Sequence, residues 1–228
     1  GRTFDGGNPG DASRRSLQTS FNPLMLSLAG LDIPVVTAIN GAAAGIGCTL
    51  ALSGDLIVAG KSAYFLQAFA KIGLMPDAGG TWFMPRQMGL AKAMGAALFA
   101  DKISARQASD WGMIWEAVED DAFAAHWKAR AAHLAKGPTE AYRHVKTAIR
   151  SSFDNPLDDQ LLLEARLQGK CGQTRDFKFD LVLGGPMNGG AGLRVLYKGY
   201  SVVPEPSTAL LLGIGLTALG MRRRTPRH

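Results

Sequence analysis

The stretch that decides the fold is residues 33–47, I-P-V-V-T-A-I-N-G-A-A-A-G-I-G. Its first half is apolar and β-branched, which favours a buried strand, and the strand is predicted to break at Asn40 and Gly41. Residues 48–52 are small and apolar again, which favours a helix. Backbone N–H groups would collect where that helix begins, and such donors stabilise negative charge on an oxygen. The alternative is close packing of the helix on the strand without a ligand.

Length and composition describe one substantial domain with an appendage. The chain has 228 residues, of which 46% are hydrophobic, so it can fill a core and is not disordered throughout. The formal charge of +6 depends on the last 25 residues, which hold four arginines and one glutamate and leave only about +3 for the rest. Because no basic stripe is interleaved with aromatic residues, a nucleic-acid partner is excluded.

Cysteine and histidine usage predicts neither a disulfide scaffold nor a metal site. Cys48 and Cys171 are far apart and have no metal-type spacing, and Cys48 lies in a small apolar segment typical of a buried thiol. A reducing compartment fits this usage best. The four histidines are scattered and have no acidic residues clustered around them, so we expect no metal.

Hydrophobic periodicity predicts an α/β core with a helical C-terminal cap. A helix over residues 12–29, with Asp11 as a candidate N-cap, precedes the strand from Ile33, and a second strand is predicted at residues 55–59. The order strand, helix, strand favours a parallel crossover. The remaining helices are predicted from Thr81 and at residues 91–100, 104–112, 121–137, 139–152 and 157–170, with a short strand at 114–118.

Asp77 is the best candidate for moving a proton. No glutamate precedes Glu116, and Asp77 lies in G-L-M-P-D-A-G-G-T, residues 73–81, where proline and glycines allow close approach ahead of a helix. The helix N-terminus would favour its carboxylate form, whereas apolar neighbours would raise its pKa toward general acid/base use. The alternative is an N-cap aspartate without a chemical role.

Three segments together resemble the crotonase superfamily of enoyl-CoA hydratases and isomerases. They are residues 33–59, 73–86 and 103–118, the last reading I-S-A-R-Q-A-S-D-W-G-M-I-W-E-A-V. The segments G-L-M-P-D-A-G-G-T-W and W-G-M-I-W look most like the ring-1,2-epoxyphenylacetyl-CoA isomerase branch. The resemblance covers residues 1–177 and implies a ββα spiral core, incomplete because the family's first strands and helix would precede Gly1.

The resemblance also implies an oxyanion site. Its donors would be the backbone N–H groups of Asn8 and Ile46, which would hold the thioester oxygen as it becomes an enolate. The first oxyanion loop is unusual, since D-G-G-N-P-G at residues 5–10 replaces the family's Cys/Ala-Ala-Gly-x-Asp pattern. Pro9 stands where an acid is usual.

Further site residues follow from the same resemblance. Hydratases of the family flank the substrate with two glutamates, but these positions are Thr49 and Phe69 here, so hydration is disfavoured. Both side chains, with Trp82, are expected to line the substrate pocket. Asp77 matches the aspartate of the isomerase branches, where one carboxylate takes a proton from one carbon and returns it at another.

The implied reaction is isomerisation of an acyl-CoA through a thioester enolate, in phenylacetate or fatty-acid catabolism. It would be either the expansion of an epoxide to an oxepin ring or the shift of a 3-enoyl to a 2-enoyl double bond, and the alternative within the family is an enoyl-CoA hydratase. CoA is part of the substrate, so no cofactor is expected. The resemblance further implies a homotrimer or hexamer in the cytoplasm.

The end of the chain resembles something else. V-P-E-P-S-T at residues 203–208, an apolar run to Met221 and a closing arginine cluster are similar to the PEP-CTERM sorting signal, which an exosortase handles. The apolar run has 14 residues, which is short for a membrane span. The alternative function is therefore a non-enzymatic envelope protein, anchored at the inner membrane by this tail.

The two resemblances predict a three-part organisation. Residues 1–177 are a partial crotonase-like acyl-CoA domain, residues 178–203 a glycine-rich, β-like join, and residues 204–228 a sorting or anchor segment. A CoA enzyme belongs where CoA is, whereas a sorting signal belongs with export. We therefore expect a join near Phe177 that arose by gene fusion, truncation or sequence assembly.

Overall fold

The computed structural model describes residues 8–177 and, by their backbone alone, residues 179–183, 193–197 and 200–201. The chain divides into two compact units, Gly1–Gly169 and Lys170–His228.

The first four strands of the first unit alternate between two sheets. One sheet is parallel with the order β1-β3-β6, formed by β1 (Val36–Ile39), β3 (Leu56–Gly60) and β6 (Glu116–Val118). The other has the order β2-β4-β5, formed by β2 (Ala42–Ala44), β4 (Tyr64–Leu66) and β5 (Ile103–Ser104). In it β2 and β4 are parallel, and β4 and β5 are antiparallel. The chain contributes one strand to each sheet, β1 and then β2, before helix α3. This order is the predicted ββα unit.

The crossover predicted from residues 33–59 is confirmed. Between β1 and β3 the chain forms the short strand β2 and then helix α3 (Ile46–Leu52). The strands β1 and β3 are parallel, with Val36 in register with Leu56. The strand β2 was not predicted, because three alanines have little intrinsic preference for a strand. Its pairing with β4 supplies the hydrogen bonds instead.

The N-terminal helix begins earlier than predicted. It consists of α1 (Pro9–Ser16), a π-helical turn (Leu17–Phe21) and α2 (Asn22–Ala29). The prediction that Asp11 is the N-cap is wrong: the Asn8 side chain accepts a hydrogen bond from the Gly10 N–H at 2.9 Å, and proline suits the first helical position. Asp11 lies in the first turn, 3.0 Å from Arg14.

Two helical segments follow Asp77, as predicted, and they meet at a kink. A 3-10 turn (Ala68–Ile72) precedes α4 (Gly80–Phe99), which joins the two predicted helices across a kink at Gly89, where φ is 77°. Helix α5 (Ala105–Asp110) is capped by Ser104, whose hydroxyl accepts from the Gln107 N–H at 3.2 Å.

The later part of this unit is helical, as predicted. Its helices are α6 (Asp120–Lys136), α7 (Thr139–Ser151) and α8 (Leu157–Gly172), the last of which continues into the second unit. The N-cap of α6 is Glu119, so this helix begins one residue before the predicted start at residue 121. None of the helices in the described ranges combines the length and the hydropathy that a membrane span requires.

The core lies between the sheets, α3 and α4. Its largest fully buried apolar side chains include Leu52, Phe65, Met84 and Met113. Cys48 is also fully buried, and burial raises the pKa of its thiol to about 12, so it remains protonated. It is a free cysteine, in agreement with the sequence.

The second unit contains strands in the segment predicted to be β-like. They are β7 (Phe179–Leu183), β8 (Leu193–Tyr197) and β9 (Tyr200–Ser201), which pair antiparallel in that order. The apolar run of residues 208–221 lies outside the described residues.

Candidate functional site

The turn that leads into α3 holds a backbone donor in place. The chain passes from β2 into α3 through Gly45, whose φ of 56° and ψ of −127° favour glycine. The Gly45 N–H donates to the Leu66 carbonyl at 2.8 Å, which fixes the turn to β4. Ile46 is the first helical residue, and an N–H at that position has no partner within its helix. The predicted oxyanion donor therefore lies on a fixed turn.

A second turn brings Asp77 to the same helix. The Thr49 side chain is fully buried in α3, and its hydroxyl donates to the Asp77 carbonyl at 3.2 Å. Ala78 and Gly79 have φ of 50° and 93°, and the Gly80 N–H donates to the Asp77 carbonyl at 2.8 Å. Because Gly79 is the N-cap of α4, the alternative interpretation of Asp77 as an N-cap is wrong.

The Asp77 carboxyl group lies in a poorly solvated position. Its Oδ1 atom is buried and has no hydrogen-bond partner. Burial raises the pKa of Asp77, and a hydrogen bond from its own backbone N–H opposes this to a smaller extent. Burial thus outweighs this hydrogen bond in setting the pKa of Asp77. A carboxylate that is poorly solvated accepts a proton more readily than an ordinary aspartate.

Phe69 completes the group that we call the Asp77 cluster: Gly45, Ile46, Thr49, Phe69 and Asp77. Phe69 is only 8% exposed, and its ring lies 3.7 Å from the point that a Cβ atom on Gly45 would occupy. Within this cluster Asp77 has the only carboxyl group. The cluster therefore combines a fixed backbone donor, an apolar wall and one acid.

Two predicted site residues lie apart from these contacts. Asn8 caps α1 and is exposed, and its side chain accepts from the Gly10 N–H. Trp82 belongs to the first turn of α4 but is 45% exposed. Its ring packs 4.1 Å from the Arg86 guanidinium and lines a cavity between α4 and α7.

Gln67 is a polar neighbour that the sequence analysis missed. It is 1% exposed, and its amide finds no oxygen or nitrogen partner in the described structure and approaches the Cys48 thiol. Its amide nitrogen lies 3.7 Å from the point that a Cβ atom on Gly80 would occupy, next to Thr49. The signal was a lone polar residue in the apolar stretch F-L-Q-A-F. A buried amide usually has hydrogen-bond partners, and here the Cys48 thiol is the polar group that it approaches.

Gly80 is predicted to be essential to this geometry. A Cβ atom at Gly80 would lie 2.9 Å from the Thr49 hydroxyl and 3.2 Å from Pro76, so Gly80→Ala should destabilise the fold by about 1–3 kcal/mol. Gly95 in the same helix has open space around it, so Gly95→Ala should stabilise by up to about 1 kcal/mol. Urea unfolding of the two variants measures the difference. Equal shifts would contradict the close approach of α3 and α4.

No group of three or more histidine, cysteine, aspartate or glutamate side chains within the described part of the chain could hold a metal ion. The Asp77 cluster offers backbone hydrogen-bond donation and proton transfer instead. These are the functions that stabilise and form an enolate.

Comparison with known families gives two matches. Residues 1–186 match the family described as enoyl-CoA hydratase/isomerase. Residues 202–224 match the PEP-CTERM protein-sorting motif.

Individual relatives agree with the first match. The chain is 53% identical over 174 residues to a "Probable enoyl-CoA hydratase" of Rhodobacter capsulatus, and 46% identical over 177 residues to the 1,2-epoxyphenylacetyl-CoA isomerase of Escherichia coli. These matches cover 76% and 78% of this chain and 68% of each relative. A solved enoyl-CoA hydratase/isomerase from Mycobacterium abscessus superposes with a TM-score of 0.71 at 36% identity, covering 74% of this chain and 65% of that one.

Proposed function

The chain belongs to the enoyl-CoA hydratase/isomerase family, the crotonase superfamily, and from that premise we propose that it isomerises an acyl-CoA thioester with Asp77 as acid and base. The observation that carries this proposal is the position of Asp77. Its carboxyl group is partly buried, with Oδ1 lacking a partner, and its backbone carbonyl accepts a hydrogen bond from Thr49 of α3. One carboxylate suffices for an isomerisation, because the proton taken from one carbon returns at another.

The proposed steps use the backbone first. The N–H groups of Ile46 and Asn8 donate to the thioester oxygen, which gains negative charge as the Asp77 carboxylate removes a proton from the acyl chain. The protonated Asp77 then gives the same proton to a different carbon, and the thioester carbonyl reforms. No atom is gained or lost, so the mechanism requires no cofactor beyond the CoA of the substrate.

Two substrates fit these steps. The identity with the Escherichia coli relative supports ring-epoxidised phenylacetyl-CoA, which would expand to an oxepin, and a 3-enoyl-CoA whose double bond shifts to position 2 needs the same proton transfer. The Rhodobacter capsulatus relative favours a second candidate, hydration of an enoyl-CoA. Thr49 and Phe69 count against hydration, because neither can activate a water molecule as a carboxylate does.

The purified full chain can be tested on three substrates. We expect isomerised product from ring-epoxidised phenylacetyl-CoA or from a 3-enoyl-CoA, and no water adduct from crotonyl-CoA. Mass spectrometry of the products separates isomers from adducts, because only hydration raises the mass. Hydration of crotonyl-CoA at a rate similar to isomerisation would overturn the proposal in favour of the hydratase.

Assembly and location are further parts of the proposal. We expect a homotrimer or hexamer, whose molar mass light scattering measures. We expect this assembly to be cytoplasmic, which cell fractionation measures. The match to the sorting motif supports a second candidate, an envelope protein whose residues 204–228 contact an exosortase and the inner membrane. In that case the chain would fractionate with membranes, and deletion of residues 208–228 would release it.

A further inference from the structure

The cavity that Trp82 lines belongs to the first unit and does not include the residues of the Asp77 cluster. Its volume is about 570 Å³, and none of Thr49, Phe69 and Asp77 lines it. The apolar wall comes from α3, α4, α6 and α7 and from the residues that follow α7: Leu52, Phe83, Leu134, Tyr142, Ile149 and Phe153. A cavity of this volume accommodates a small organic molecule.

One end of the cavity holds an ion cluster in which both carboxylate oxygens of Asp55 are hydrogen-bonded. Asp55 accepts from the Val35 N–H, from Lys146 Nζ and from Arg150 Nη2, each at 2.8 Å. Both carboxylate oxygens are therefore occupied. Lys146 also donates to the Ile33 carbonyl at 3.1 Å. Two cations facing one acid leave this end with an excess of positive charge.

Arg86 adds a third cation whose donors are poorly used. Its guanidinium lies 4.1 Å from the Trp82 ring and 5.6 Å from the Phe153 ring. Nη1 donates to the Trp82 carbonyl at 3.3 Å, while Nη2 is 4.0 Å from a carboxylate oxygen of Asp154, whose side chain is 76% exposed. Nε is buried and has no partner. A guanidinium carries five N–H donors, so most of them are free for a ligand.

We propose that this cavity binds a carboxylic acid with an apolar body, either aromatic or of medium chain length, as a ligand separate from the thioester at Asp77. The apolar wall takes the body, and the Nε and Nη2 edge of Arg86 takes the carboxylate in the paired geometry that guanidinium and carboxylate share. Such a contact satisfies the buried Nε. Arg86, Lys146 and Arg150 line the cavity, whereas Asp55 is the only acid in the lining and the nearby Asp154 is 76% exposed, so the charge favours an anion over a neutral or cationic chain.

Titration calorimetry with the full chain tests this site. The probes are sodium octanoate and sodium phenylacetate, with octan-1-ol and octylammonium as neutral and cationic controls. We expect saturable binding of at least one carboxylate and at least tenfold weaker binding of both controls, since a charge-assisted hydrogen bond is lost. The two carboxylates distinguish a chain-shaped ligand from an aromatic one. Equal binding of octanoate and octan-1-ol, or no saturable binding of either acid, would overturn the proposal.

Variants locate the binding. Arg86→Met keeps the apolar stem and should weaken binding about tenfold, whereas Arg166→Met, which removes an exposed arginine of α8, should not change it. Val145→Trp places a bulky ring at a lining position that is 54% exposed and keeps every charge, so it should fold and should obstruct binding. The test therefore survives if Arg86→Met fails to fold. Displacement of octanoate by crotonyl-CoA, together with unchanged binding in Val145→Trp, would place the acid at the Asp77 cluster and refute the second site.

Discussion

Replacing Asp77 with asparagine is expected to lower kcat of isomerisation by about 10²- to 10⁴-fold. Asparagine has nearly the same shape but cannot accept the substrate proton. The hydrogen bonds that place residue 77, from Thr49 and the Gly80 N–H, go to its backbone carbonyl and survive the change. The loss should therefore appear in kcat with little change in KM. Steady-state kinetics on the preferred thioester measures both constants.

The pH dependence follows from the same carboxyl group. Because burial raises the pKa of Asp77, activity should fall on the acid side at a pH above the ordinary aspartate value of about 3.9. A raised pKa in the folded state stabilises the fold below the unfolded pKa, and this contribution is lost as the pH rises through the folded pKa. Asp77→Asn should consequently leave Tm at neutral pH unchanged or slightly higher. The acid limb of the pH profile should disappear with it.

The control for this substitution is Asp101→Asn, which changes an exposed aspartate after α4. It should leave kcat, KM and Tm as they are. Turnover that Asp77→Asn leaves unchanged would remove Asp77 from the mechanism. A fall in activity that follows a fall in Tm would assign the residue a structural role instead.

The second large effect concerns stability. Asp55→Ala is expected to lower the free energy of unfolding by about 3 kcal/mol, because it leaves Lys146, only 9% exposed, and Arg150 without their shared acid. The Val35 N–H loses its acceptor as well. The Asp55 side chain is 19% exposed, so solvent cannot fully replace these bonds. Urea unfolding at neutral pH measures the change.

A double variant separates the ion cluster from simple loss of packing. Asp55→Ala combined with Arg150→Met should cost less than the sum of the two single changes, because the second removes a cation that the first leaves unpaired. Asp101→Ala serves as the exposed control and should change the free energy of unfolding by less than about 0.5 kcal/mol. A loss below about 1 kcal/mol for Asp55→Ala would show that solvent screens the cluster.

Elements formed by neighbouring residues could be predicted from the sequence, whereas contacts between distant residues could not. The strand β1, the helix α3 and the strand β3 could be predicted because hydrophobic runs and small residues follow each other along the chain. Asp55 begins the second predicted strand, but the Val35 N–H that it accepts from lies 20 positions away. Its cation Arg150 lies 95 positions away. No local pattern contains that pairing.

The candidate site shows the same division. Asp77 could be singled out because proline and glycines frame it, but only the folded chain shows that burial raises its pKa more than its own backbone N–H lowers it. Gln67 had no such frame, and its importance arises from the approach of Gly80 and Thr49 from other elements. The oxyanion roles of Ile46 and Asn8 and the pocket role of Trp82 remain predictions.

The alternation of strands between two sheets has a consequence for the speed of folding. Closing the first sheet brings Val35 to Asp55, 20 positions along, and Lys61 to Glu119, 58 positions along. Parallel pairings over such separations form slowly, since the intervening chain must lose its entropy first. Thr49 and Asp77 lie on segments between these closures. After dilution from denaturant, the recovery of activity is therefore limited by the rate at which the distant strands pair, even if the helices form quickly.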